Sequence, residues 1–244
     1  MKRKINTIIA FWIITYAQNA ISEQNVFITN KKTYGLELGT TRLIYNEGQR
    51  SASLRVKNKQ DYPVLVQSHV YTEDKKGKAP FIITPPIQKL EPDAQTRLRV
   101  IFMDREIKNK ESLYWLCVKG MPPVNLHDEN VHKKETTVNI NILNTNCIKL
   151  IMRPASVSIN PVEASKQIKW HINGQDITGT NNNPVYINFA SIKANGKEIV
   201  TDNYYIAPFS SITFRLPNKK VKNNIAWTVI DDYGAESAEY KSSL

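Results

Sequence analysis

The sequence predicts an all-β protein of two domains, the first an immunoglobulin-like β-sandwich, and three observations carry that expectation. Short runs of alternating apolar and polar residues, separated by turn residues, fill most of the 244-residue chain. No sustained 3.6-residue apolar period competes with them. One stretch, Thr136 to Pro154 (TTVNINILNTNCIKLIMRP), keeps the period of two for far longer than an ordinary strand.

Residues 1–22 have the layout of a secretory signal peptide. Lys2, Arg3 and Lys4 form a basic start, Ile5 to Ala17 is mostly apolar, and the small residues Ala17, Ala20 and Ser22 precede Glu23. Cleavage is expected between Ala17 and Ser22. A membrane anchor is the alternative, but the apolar stretch is short for a span of about 20 residues. No later segment resembles a transmembrane helix, so the mature chain is expected to be soluble and exported.

The first domain is expected over 23–154. Its strand patterns are Thr41–Tyr45, Ala52–Lys57, Val64–Tyr71, Thr96–Phe102, Leu113–Lys119 and the long run over 136–152. In Thr96–Phe102, Leu98, Val100 and Phe102 point one way while Arg97 and Arg99 point the other, as in a sheet with one face on a core and one in water. The Ile/Pro-rich segment Phe81 to Pro86 and the turn Glu91-Pro92-Asp93 separate the middle strands. This spacing implies an immunoglobulin-like sandwich. Pro154 ends the ladder, and a smaller domain with a thinner core is expected over 155–244. Its strands are Ile168–Ile172, Val185–Ile192, Ser211–Phe214 and Ile225–Ile230, separated by turns such as Thr180–Pro184 and Leu216–Lys220.

The long run is the anomaly. Thr136, Val138, Ile140 and Ile142 share one face, Asn144 and Asn146 interrupt it, and Ile148, Leu150 and Met152 resume it. Read as one strand it would reach about 55–60 Å, where a typical strand spans under about 20 Å. A strand that outruns its sheet exposes unpaired backbone beside an apolar row. Either the chain's own loop covers that edge or the protein lends it to a partner. Self-association of the free protein is a third outcome. The preceding segment Met121 to Glu135 is polar, charged and without a packing period, which points to a functional or disordered loop.

Charge and side-chain chemistry narrow the function. The formal net charge is +11, and loss of the signal would leave 30 basic against 22 acidic residues. The lysines are scattered over strands and loops, with no basic helix, finger or RNA-binding aromatic signature, so nucleic acid is not expected as a partner. Cys117 and Cys147 are the two cysteines; in an oxidising compartment, on neighbouring strand patterns, they are expected to form a disulfide. No phosphate loop, nucleophile elbow or paired-cysteine zinc motif is present. His127 and His132 flank Asp128 and Glu129 but lie on a loop without fixed geometry, so neither a metal, a cofactor nor a small-molecule substrate is expected.

Several motifs stand in order: TRLIY (41–45), VLVQSHV (64–70), PPIQKLEP (85–92), ESLYW (111–115), MPP (121–123), IKLIMRP (148–154) and DDYG (231–234). Together they resemble the periplasmic pilus-assembly chaperones of the chaperone–usher pathway, and two cysteines flanking an extended loop resemble its long-loop branch. The resemblance implies two immunoglobulin-like domains arranged as a boomerang with a binding cleft between them. It also implies fibre subunits and an outer-membrane usher as partners. The chaperone would complete the subunit's sandwich by β-strand addition, with Thr136, Val138, Ile140 and Ile142 as the donor strand. Arg42 and Lys149 map onto the anchor for the subunit's C-terminal carboxylate. Glu111, Arg153 and Asp232 map onto an interdomain ion network. A competing class is an exported immunoglobulin-like fibre subunit or adhesin, which would lack its own last strand rather than own an overlong one. An exported enzyme has no residues to stand on.

Overall fold

A computed structural model describes residues 28–104, 108–123, 137–215 and 224–243. The signal segment, Thr136, His127 and His132 lie outside the described residues. Strands come first: β1 (Ile28–Tyr34), β2 (Glu37–Leu38), β3 (Arg42–Asn46), β4 (Ala52–Lys57), β5 (Val64–Thr72) and β6 (Phe81–Thr84). Then follow β7 (Ile87–Leu90), β8 (Gln95–Phe102), β9 (Ser112–Met121), β10 (Thr137–Leu143) and β11 (Thr145–Arg153). A five-stranded sheet in the order β3-β11-β9-β5-β7 faces a four-stranded sheet in the order β2-β4-β8-β6. The alternation makes the core: Leu54 and Val56 of β4, Leu98 and Val100 of β8, Val64 and Val66 of β5, and Ile148, Leu150 and Met152 of β11 are all buried together. Arg55, Arg97 and Arg99 stay on the outer face, as the period of two requires.

Among the described residues a single α-helix, α1 (Pro161–Ser165), opens the second set; the sequence showed no period from which to expect it. Asn160 caps it by accepting a hydrogen bond from the Glu163 N–H at 2.9 Å, and Pro161 stands at its first position. The remaining strands are β12 (Lys169–Asn173), β13 (Asp176–Asn181), β14 (Ile187–Ala194), β15 (Lys197–Glu198) and β16 (Tyr205–Ile206). The chain ends with β17 (Ser210–Arg215), β18 (Asn224–Val229) and β19 (Tyr240–Ser243). A sheet ordered β12-β13-β17 packs with one built on β15-β14-β18-β19, to which β16 adds through β14. Ile177, Ile187, Ile192, Ile206, Ile225 and Val229 fill their shared core.

Three expectations need correction. The run over 136–152 is two strands, because pairing stops at Asn144 between β10 and β11. Phe81–Pro86 is more than a separator: β6 pairs with β8 and β7 with β5, so the chain changes sheets across Pro85 and Pro86. β1 has no counterpart in the sequence reading; its ITNKKTY pattern is too polar to stand out, yet it pairs with β10. The chain's own N-terminal strand therefore covers one edge of β10. Among the described residues, 28–32 and 137–140 belong to one compact unit, and Thr33 onward together with Asn141 onward to another.

Candidate functional site

Two cations meet where β11 runs parallel to β3. The register sets Lys149 beside Arg42, an unfavourable neighbourhood for like charges unless an anion joins them. Arg42 is 7% exposed; its Nη1 donates to the Ile230 carbonyl at 3.3 Å, while its Nε is buried without a hydrogen-bond partner. The Lys149 ammonium donates to Oδ1 of Asn188 and lies 4.7 Å from the centre of the Tyr205 ring. Asn188 is 1% exposed, and its Nδ2 also has no partner. Burial, and then the neighbouring Arg42, bring Lys149 down to about 8, with Glu73 opposing them. Burial also pushes Arg42 below its ordinary value, against the pull of Asp232 and Asp231. Two partly desolvated cations flanked by unpaired N–H donors leave charge and hydrogen-bonding capacity that a compact anion such as a carboxylate would satisfy.

A second constellation joins residues far apart in sequence. Arg153 Nε donates to Glu111 Oε1 at 2.5 Å, while its two Nη atoms grip Asp232 at 2.6 and 2.8 Å. The other Glu111 oxygen accepts the Tyr186 N–H at 2.7 Å. Asp232 is held by a tight turn in which Asp231 Oδ1 accepts from the Tyr233 and Ala235 N–H groups, with Gly234 at φ 91°. That left-handed angle favours glycine. Burial raises the Glu111 carboxyl, with Arg153 and the Tyr186 N–H pulling it back. Burial opposes the Arg153 charge, but Asp232 and Glu111 outweigh it and hold the guanidinium above its ordinary value. Leu113, Ile151 and Tyr186 pack beside this network with Ile44, Tyr205 and Ala207.

Cys117 and Cys147 stand directly opposite on β9 and β11 and are disulfide-bonded. Val138, Ile140 and Ile142 share a face of β10 and remain 44%, 44% and 39% exposed, while Asn139 on the other face accepts from Asn30 Nδ2 at 3.2 Å. The structure thus brings Arg42 to Lys149 and joins Glu111, Arg153 and Asp232. Sequence reasoning missed Asn188, Tyr205, Glu73 and Tyr186. Glu73, just after β5, accepts from the hydroxyls of both Tyr186 and Tyr205 at 2.9 Å, and no local pattern announces contacts more than a hundred residues away.

The model for pili and flagellar-assembly chaperone, PapD N-terminal domain, matches residues 35–158, and that for pili assembly chaperone PapD, C-terminal domain, matches 163–241. The chain belongs to the pili assembly chaperone family. It is 41% identical over 241 residues to the chaperone protein SefB of Salmonella enteritidis, covering 97% of each chain. Among solved structures it is similar to the Escherichia coli chaperone DraB, at 38% identity and TM-score 0.78, covering 88% of this chain and 100% of DraB. It is also similar to the SafB chaperone of Salmonella enterica, solved in complex with the SafA pilin: TM-score 0.79, 35% identity, 89% and 100% covered. The chain is a periplasmic chaperone of fimbrial assembly, in a family of chaperones rather than enzymes.

Proposed function

We propose that this chaperone captures an incomplete fimbrial subunit stoichiometrically, without turnover, anchoring its C-terminal carboxylate on Arg42 and Lys149. The observation that carries this reading is the partly buried cation pair with two unpartnered donors, Arg42 Nε and Asn188 Nδ2. An arriving carboxylate would relieve the repulsion between the cations and satisfy those donors. β10 supplies the second element. It pairs on one side with β1, and among the described residues its other edge has no strand partner. A subunit lacking its last strand would add there, with Val138, Ile140 and Ile142 entering its open core and Thr136 at the near end. These side chains are already more than half covered, so completing their burial contributes about 1 kcal/mol each. Main-chain pairing would supply the register.

On this reading residues 1–22 are removed on export and 23–154 and 155–244 are the two domains; the loop expected over 121–135 lies largely outside the described residues. The Glu111–Arg153–Asp232 network would hold the two domains in one orientation. The loaded chaperone would deliver its subunit to an outer-membrane usher. Co-purification of a co-expressed fimbrial subunit with Arg42→Ala, Lys149→Ala and the double variant tests the anchor. Losing one cation should cost about 2–5 kcal/mol of affinity while thermal unfolding stays cooperative. Normal capture by the folded double variant overturns the assignment.

A further inference from the structure

Among the described residues, Glu73 is the carboxylate that acts on Lys149 without touching it. Its two oxygens are divided between two hydroxyls, Tyr186 on Oε2 and Tyr205 on Oε1, both at 2.9 Å. The two rings lie 5.7 Å apart, and the Tyr205 ring carries the Lys149 ammonium on its face. The Glu73 backbone is fixed as well, because its carbonyl accepts from Trp115 Nε1 at 3.0 Å. The carboxylate is therefore immobilised from both ends, although it is exposed to solvent. A ring bound through its hydroxyl cannot swing away from the cation that it carries.

We propose that Glu73 and Tyr205 are positioning residues of the carboxylate anchor: Glu73 fixes the Tyr205 ring beneath the Lys149 ammonium and supplies the negative charge that offsets Arg42. This rests on the anchor reading above and deepens it. The charged and titratable groups acting on Lys149 are Arg42 on β3, Glu73 after β5 and the Tyr205 phenol on β16; Asp231 and Asp232 act on Arg42. Only Glu73 among those acting directly on Lys149 raises it. The Tyr205 phenol is pushed up to about 12, by burial and then by its hydrogen bond to Glu73, so it stays a neutral donor throughout the range in which Lys149 loses its proton. Without Glu73, Lys149 would lose its proton at lower pH, and alkaline solution would disarm the anchor sooner.

The test follows the Lys149 ε-carbon by NMR in ¹³C-lysine-labelled protein and, in parallel, measures binding of a synthetic apolar peptide ending in a free carboxylate, with its C-terminal amide as control. In Glu73→Gln the Lys149 midpoint should fall by on the order of a few tenths of a pH unit at low salt, less at high salt. Free-acid peptide binding at pH 9 should then fall roughly twofold. Tyr205→Leu, which removes the ring altogether, should lower the midpoint as well, and the remote Glu163→Gln should leave it unchanged. An unmoved midpoint in Glu73→Gln, or the same movement in Glu163→Gln, overturns the proposal. Equal binding of acid and amide peptides, with no loss in Lys149→Ala, would instead overturn the anchor itself.

Discussion

Replacing Arg153 by Met should unmask how strongly the ion network depends on being complete. The Glu111 side chain is 0% exposed and the Arg153 side chain 14%, whereas Asp232 is 22% exposed. Without the guanidinium, Asp232 can turn to water, but among the described residues the Glu111 carboxylate keeps one hydrogen bond, from the Tyr186 N–H at 2.7 Å. An uncompensated buried carboxylate of this kind costs about 3–5 kcal/mol. Glu111→Gln should cost less, about 1–3 kcal/mol, because Arg153 keeps both bonds to Asp232 and the amide oxygen can still accept from Tyr186. Adding Glu111→Leu to Arg153→Met removes the stranded charge and should recover most of the loss.

The pH dependence gives an independent reading of the same variant. Burial is the first cause raising the Glu111 carboxyl, and Arg153 is the first of the groups pulling it down. In Arg153→Met the folded value therefore rises further above the unfolded one. A carboxyl raised on folding lends full stability below its unfolded value, near pH 4.3, and loses it as pH climbs through the folded value. The penalty should be largest at pH 7 and shrink toward pH 5. Urea unfolding followed by tryptophan fluorescence at both pH values measures it. A loss below about 1 kcal/mol at pH 7, or one no smaller at pH 5, refutes the reasoning.

Three further outcomes follow. Ile140→Asp should fold, keep its disulfide and fail to capture a subunit in a pull-down, since the charge would enter an apolar core. Asn139→Asp on the opposite face should matter much less, and equal effects would mean that the strand is not donated in this register. The denatured, unreduced mature protein should show no titratable thiol, and reduction of the Cys117–Cys147 bond, which spans 30 residues, should cost about 3–4 kcal/mol. Asn146→Ile should destabilise although it extends the apolar row, because it leaves the Leu36 carbonyl, bonded to Asn146 Nδ2 at 2.8 Å, without its donor; a variant that melts higher than the parent would contradict this.

The strands with a strict period of two were legible because burial writes that period directly. Ala52–Lys57 was read to the residue, and Leu98, Val100 and Arg97, Arg99 fall on the faces their alternation demands. β1 was not legible: its lysines and threonines give no apolar face, and its assignment rests on pairing with a strand more than a hundred residues away. β13 hid for a related reason, since Thr178, Gly179 and Thr180 look like turn residues until β12 and β17 flank them. At the site, Arg42 and Lys149 were reachable through short motifs on single strands. Asn188 and Tyr205 were not, because a residue that meets a cation across the fold carries no signature of doing so in its own neighbourhood.

The break at Asn144 shows why one apolar row serves two ends. From Ile148 to Met152 the row is locked: β11 has strand neighbours on both sides, β3 and β9, and the disulfide ties it to β9. At Asn144 another segment of the chain comes close. The Asn144 carbonyl accepts from the Gly120 N–H at 3.0 Å, and a Cβ on Gly120 would stand 2.1 Å from the Tyr34 carbonyl oxygen. Only glycine admits that approach. The two asparagines that interrupt the row thus lie where the 34–36 backbone passes, and Asn146 answers one of its carbonyls. Beyond the break, β10 has one strand neighbour among the described residues, and half-exposed apolar side chains. Lys149 sits on the locked half, paired with β3, so on the proposed reading the anchor's geometry would not depend on what β10 pairs with. A chaperone that held a carboxylate rigidly and yet lent a strand would need that division, and Asn144 marks where it falls.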